Sequence, residues 1–152
     1  MCDDLNWTLT KKNVEIVIQK YLYYCLSIDN YPTSKISDDY SLNEFIQEEV
    51  YNSYVMIRAE ERARRAEFIN YFRNSFNRLT SEERKLIYWN YLDKEDNYDD
   101  RFIANNLGFS LGYFYMKKKE TLIRFAYALG IEIIEEKNRK QSDIYAIYSK
   151  KN

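Results

Sequence analysis

An all-α fold is predicted by three features of this chain. Only three Gly and one Pro occur among 152 residues, which leaves few places where a helix must break. Apolar residues recur at spacings of three and four through several long stretches, the mark of helices with one buried face. Two Ser/Thr-x-x-Glu signals, Ser41 with Glu44 and Thr80 with Glu83, stand just ahead of apolar runs and read as capping boxes. With 45% apolar residues, 16 Tyr, 8 Phe and 2 Trp, such helices have enough surface to bury.

In chain order, residues 1–12 read as a frayed or loosely docked segment, with Trp7 and Leu9 packing near the first helix. That helix is predicted over Lys12–Ser27, where Val14, Val17, Ile18, Tyr21, Leu22 and Cys25 form one stripe suited to a core or to a dimer seam. Residues 28–41 hold the sole proline, Pro32, and read as a linker. A helix then begins near Leu42 and meets no stop before Leu79. About 38 residues at 1.5 Å each give roughly 57 Å, more than a small globule buries, so this helix either kinks near 58–67 or pairs with another helix or chain. Its bases Arg58, Arg62, Arg64, Arg65 and Arg73 could suit nucleic acid, but Glu60–Arg64 and Glu61–Arg65 at i,i+4 read better as a solvated face. Thr80 opens a further helix whose core candidates are Leu86, Ile87, Trp89, Tyr91 and Leu92, and residues 93–98 read as a polar loop.

The stretch from Tyr98 to Gly130 reads as two helices joined by a tight turn. Asp99 or Asp100 caps the first, Phe102, Ile103 and Leu107 give its apolar stripe, and Gly108 suits the left-handed residue that ends it. Ser110 caps the second helix, which carries Lys117, Lys118 and Lys119. Helix, glycine turn and capped helix with a basic outer face is the layout of a DNA-binding helix-turn-helix. After Gly130 the chain continues briefly as strand or helix, and residues 138–152 form a polar tail. The expected division is therefore a helical N-terminal region over 1–78, a helix-turn-helix domain over 79–137, and the tail.

Net charge is −1, so the chain as a whole is no polycation. The charge is nevertheless segregated: residues 93–100 carry five acids against Lys94, and residues 113–128 carry four bases against Glu120. Local potential, not the total, governs phosphate binding. Histidine is absent and there are only two cysteines, which removes the usual ligands of zinc and the usual neutral-pH acid–base catalyst. No enzyme, cofactor or metal site is expected. No apolar run is long enough to cross a membrane and the first twelve residues lack the apolar stretch of a signal peptide, so a cytoplasmic protein is expected.

Stepping 100° per residue with Phe114 at the centre of the buried face brings Leu111, Lys118, Thr121, Leu122, Phe125 and Leu129 to the same side. Gly112, Met116, Lys119 and Ile123 point away, Tyr113 and Tyr115 lie on the flanks, and Lys117 snorkels outward from the edge of the core face. Gly112, Tyr113, Met116 and Lys119 are thus candidates to face base edges, Gly112 by letting the backbone come close. Ser110, Lys117 and Lys118 are candidates for phosphates, and Tyr115 completes the expected surface. Arg and Asn, the commonest base readers, are missing from the first two turns of this helix.

The segments LTSEERKLIYWNYL (79–92), FIANNLGFS (102–110) and YFYMKKKETLIRFAYALGIEI (113–133) resemble a family of small phage and prophage transcriptional activators, the ArpU-like autolysin regulators, and are similar to the RinA-type late activators. KNVEIVIQKYLYY (12–24) and the turn with Pro32 look like that family's N-terminal half. Ser110, Phe114-Tyr115, Lys118-Lys119-Glu120, Leu122 and Phe125-Ala126 carry the likeness most specifically. Thr121 departs from the family's usual Ala, and Met116-Lys117 reverse its usual basic-then-apolar order. The resemblance implies a domain like region 4 of bacterial sigma factors that binds double-stranded promoter DNA and activates phage late or lysis genes. The N-terminal helices would then contact RNA polymerase or pair with a second copy in a homodimer. Two other classes compete with that expectation: an interaction protein that binds polymerase or another regulator without reading DNA, and a small phage nuclease subunit, which the lack of His and of clustered carboxylates disfavours.

Overall fold

The computed structural model describes residues 4–28, 39–42, 59–93 and 98–135. Among them are five α-helices and no strand, an all-α fold. They are α1 (Trp7–Ser27), α2 (Ala59–Phe76), α3 (Ser81–Ile87), α4 (Asp100–Leu107) and α5 (Leu111–Leu129). The segment 43–58 lies outside the described residues, and with it the expected capping box at Ser41–Glu44 and the first half of the long helix. The 138–152 tail lies outside them too.

Of the two expectations for residues 1–12, frayed or loosely docked, residues 4–12 take the docked one, and more firmly than expected. Helix α1 begins at Trp7, five residues early, because the Asn6 side chain caps it by accepting from Leu9 N at 3.0 Å. Ahead of the cap, residues 4–6 pair with the chain beyond α5. Asn6 N donates to Ile133 O at 2.8 Å, and Glu135 N donates to Asp4 O at 2.7 Å. Those backbone bonds also decide residues 131–135, which run extended rather than helical.

Helices α1, α2 and α5 surround the main core. The predicted α1 stripe is buried at Val14, Ile18, Tyr21, Leu22 and Cys25, and it meets Ile69, Phe72 and Phe76 of α2 and Leu122, Phe125 and Leu129 of α5. Tyr21 stacks on Phe72 with ring centroids 3.9 Å apart, and Phe125 meets Phe72 and Phe76 edge-on at 5.3 and 6.1 Å. This core runs across position 79, so the helices on either side of that division share one buried interior.

Arg73 is a correction to the solvated face expected for α2. It is 1% exposed, its Nε donating to Tyr21 Oη at 3.1 Å. Its spacing, four residues after Ile69 and three before Phe76, sets it on the apolar stripe, and the Tyr21 hydroxyl brought in by α1 supplies an acceptor inside the core. The outer face of α2 behaves as read at Glu61–Arg65 (3.3 Å), whereas Arg64 turns to Glu61 at i,i+3. Residues 39–42 dock on the α2–α3 junction. Asn77 and Leu42 exchange two hydrogen bonds of 2.8 Å, and Arg84 donates to the carbonyl of Asp39.

Thr80 and Glu83 form the expected capping box on α3. The helix expected to continue through 92 instead widens into a π-helical segment over Tyr88–Leu92, closed by Asp93 N donating to Tyr88 O at 2.8 Å. The i→i+5 spacing of a π turn brings residue i+5 back over residue i. Ile87 and Leu92 can therefore both enter the main core, while Leu86 and Trp89 face a second one.

Candidate nucleic-acid interface

That second core, small and separate, holds the two-helix unit together. Leu86 of α3, Ile103 and Ala104 of α4 and Phe114 of α5 are buried in it, flanked by Trp89, Tyr98, Leu107, Phe109 and Leu111. Asp99, not Asp100, caps α4, accepting from Phe102 N at 2.7 Å. At the other end Gly108 adopts φ 75°, donating to Asn105 O at 3.1 Å while Phe109 N donates to Ala104 O at 2.8 Å. This pair of bonds is the Schellman arrangement, and it needs a residue that tolerates positive φ. Two residues later Ser110 caps α5 by accepting from Tyr113 N at 3.2 Å. Across the pair, Tyr115 Oη donates to Asp100 Oδ2 at 3.2 Å.

Helix α5 divides into two halves with different surroundings. From Thr121 to Leu129 it threads the core. Ile123, expected to point outward, is buried there because neighbouring chain covers this half on more than the one face that phase alone predicts. The first half rests on the second core through Phe114 and keeps one open face: Gly112 and Lys119 are exposed, and Tyr113, Tyr115 and Met116 are 42%, 50% and 56% exposed. A Cβ built on Gly112 would meet nothing within 4 Å. Four of the residues expected to approach bases (Gly112, Tyr113, Met116 and Lys119) therefore share one open surface, with Ser110 at its head.

The basic residues behave differently from one another. Lys117 does not snorkel to solvent; its Nζ lies 4.0 Å from Glu82 of α3. Arg124 Nε lies 2.9 Å from Glu83 Oε2, a carboxylate only 1% exposed that also accepts from Thr80 N. Lys118 and Lys119 stand over aromatic rings, Tyr91 at 5.7 Å and Trp7 at 5.4 Å from the centroids. Charge counted along the sequence thus overstates what α5 offers to phosphate, since two of its four bases face carboxylates of α3.

Residues not singled out from sequence also border the surface. Arg101 and Asn105 of α4, with Ala104 and Leu111, line a hollow of about 300 Å³ at the α4–α5 junction. They are the residue types best able to read guanine and adenine, and they stand one helical turn apart on the exposed face of α4. Their i,i+4 spacing was visible, but only the packing of α4 beside the head of α5 brings them to this surface. Among the described residues, no group of three or more His, Cys, Asp and Glu is placed to hold a metal ion, and no helix is long and apolar enough to cross a membrane.

Comparison with protein-family models, with curated proteins and with solved structures gave no match to this chain.

Proposed function

We propose that this chain is a sequence-specific DNA-binding protein that activates transcription, with the first half of α5 entering the major groove and α4 bracing it across the backbone. The observation that carries the reading is the open-faced half-helix: capped by Ser110, seated on its own small core, and presenting Gly112, Tyr113, Met116 and Lys119 together. A capped helix whose first turns keep one open face is what major-groove docking requires. Arg101 and Asn105 of α4 add hydrogen-bond donors beside the head of α5, where a helix crossing the backbone meets phosphates. The assignment to phage late or lysis genes rests on the resemblance to ArpU-like activators, as does contact with RNA polymerase.

The test is fluorescence anisotropy on promoter-proximal duplex DNA from the encoding genome against a scrambled duplex, across a salt series. Tighter binding to one duplex, weakening steeply with salt, is expected. Lys119→Ala should flatten the salt dependence, whereas Lys117→Ala should change it little because Lys117 faces Glu82. Equal, weak and salt-insensitive binding to both duplexes would sink the reading.

A second reading has its own support. The open surface is rich in Tyr113, Tyr115, Met116 and Phe102, and aromatic and Met side chains are enriched at protein interfaces. On that reading the surface binds RNA polymerase or another regulator without reading DNA, and co-purification with polymerase in the absence of DNA binding would favour it.

A further inference from the structure

Of the four basic side chains on α5, the two that face rings rather than carboxylates converge on one place. Lys118 and Lys119 line a groove of about 310 Å³ together with Trp7 and Lys11 of α1 and with Tyr115 and Leu122. Among the described residues, none of those lining it is acidic. An ammonium against a π face keeps its positive charge and its N–H donors, whereas one against a carboxylate has its field largely cancelled. Three lysines line this one hollow, and like charges so placed favour an anion entering it. Acids around it are engaged or exposed: Glu15 hydrogen-bonds with the Tyr91 hydroxyl, Asp100 accepts from Tyr115 Oη at 3.2 Å, and Glu120 is exposed.

The groove is also built to hold its shape. Trp7 sits in the first turn of α1, directly after the Asn6 cap, and that turn is tied to the chain beyond α5 by Asn6 N to Ile133 O (2.8 Å) and by Ile133 N to Thr10 Oγ1 (3.0 Å). Asn13 Nδ2 adds a bond to Ile131 O at 3.2 Å. Bringing the groove's two walls together therefore costs little at the moment of binding. The groove lies along the flank of α5, and Tyr115 and Lys119 belong both to it and to the open face of the first half of the helix.

We propose that this groove receives a phosphodiester of the DNA backbone flanking the segment faced by α5, so that the first turn of α1 is part of the DNA footprint. This rests on the DNA-binding reading above. A phosphate here would accept from Lys11, Lys118 and Lys119, and a deoxyribose would lie against the Trp7 indole. The contact fixes position and carries no sequence information.

The experiment uses the full chain and compares Lys11→Gln and Lys11→Met, the latter keeping the stem's packing, with Lys12→Gln. Lys12 is the neighbouring exposed base and does not line the groove. Losing one phosphate contact lowers the slope of log K against log salt by about 0.9. The Lys11 variants should show that drop and bind roughly three- to tenfold more weakly, equally on matched and scrambled duplexes, with Lys12→Gln close to wild type. In a Trp89→Phe background Trp7 is the sole indole, and its emission should change on adding DNA. Wild-type slopes in both Lys11 variants, alongside salt-dependent binding by the wild type, overturn the groove and leave the DNA reading standing. Absence of DNA binding by the wild type overturns both. A Trp7 response to pyrophosphate without one to DNA would overturn the backbone assignment in favour of a small free phosphate ligand.

Discussion

Replacing Gly112 by alanine separates stability from DNA binding at one position. Gly112 is the second residue of α5, exposed, and its added Cβ would meet no atom within 4 Å. Alanine in place of glycine stabilises a helix interior by about 0.5–1 kcal/mol, mostly through the lost freedom of the unfolded chain. In a first turn the lower end, about 0.5 kcal/mol, is expected. At roughly 2–4 °C per kcal/mol for a chain of this size, Tm should rise by about 1–2 °C. If α5 reaches DNA through this bare stretch of backbone, the same methyl meets the duplex, and binding should weaken by about tenfold, or ~1.4 kcal/mol. Circular dichroism melts and fluorescence anisotropy measure the two effects on one preparation. A lower Tm would refute the open environment assigned to Gly112. A raised Tm with unchanged affinity would refute its close approach to DNA.

Three further outcomes follow from the packing. Glu83→Ala removes half of a capping box and the partner of Arg124; with Arg124 about half exposed and able to rehydrate, the loss should be about 2 kcal/mol, read as a fall in the urea midpoint at constant m. A loss below about 0.5 kcal/mol would mean that Glu83 does not tie α3 to α5. Phe125→Ala empties the site where α5 meets Phe72 and Phe76, and should cost about 3–5 kcal/mol in the same assay, with less than about 1 kcal/mol refuting that contact. Burial pushes the Cys25 thiol from 9.0 up to about 11, and burial also raises the Tyr21 hydroxyl beside it. Both groups are neutral in the folded state, so the Cys25 contribution is complete below about pH 9 and is lost as pH rises through about 11, while that of Tyr21 starts to fall only above 10.0. Stability of a Cys2→Ser chain should fall over that range, and its Cys25 should resist iodoacetamide at pH 8 until denaturant is added; rapid alkylation of the folded chain would contradict the burial.

What the sequence by itself determined was local. Asn, Asp, Ser and Thr ahead of apolar runs, and Gly after them, act through hydrogen bonds spanning two to five residues. The start of α3, the end of α4 and both ends of α5 were therefore legible in Thr80, Gly108, Ser110 and Gly130, although Asn6 went unrecognised as the cap of α1. Buried stripes on α1 and α5 followed from helical phase for the same reason, since the apolar side chains of one face must leave water together. The tertiary structure decided whatever depends on which surfaces meet. Arg73 has an acceptor inside the core because α1 brings Tyr21 to it, and Ile123 was covered from a side that phase leaves open. Residues 4–6 were pinned by a segment about 130 positions away. Most consequential for the candidate site, the α5 bases were sorted by their neighbours. Lys117 and Arg124 were turned to the carboxylates of α3, and Lys118 and Lys119 to the rings of Tyr91 and Trp7. Charge is written along the chain, but the field it makes is set by what packs within a few ångströms of it.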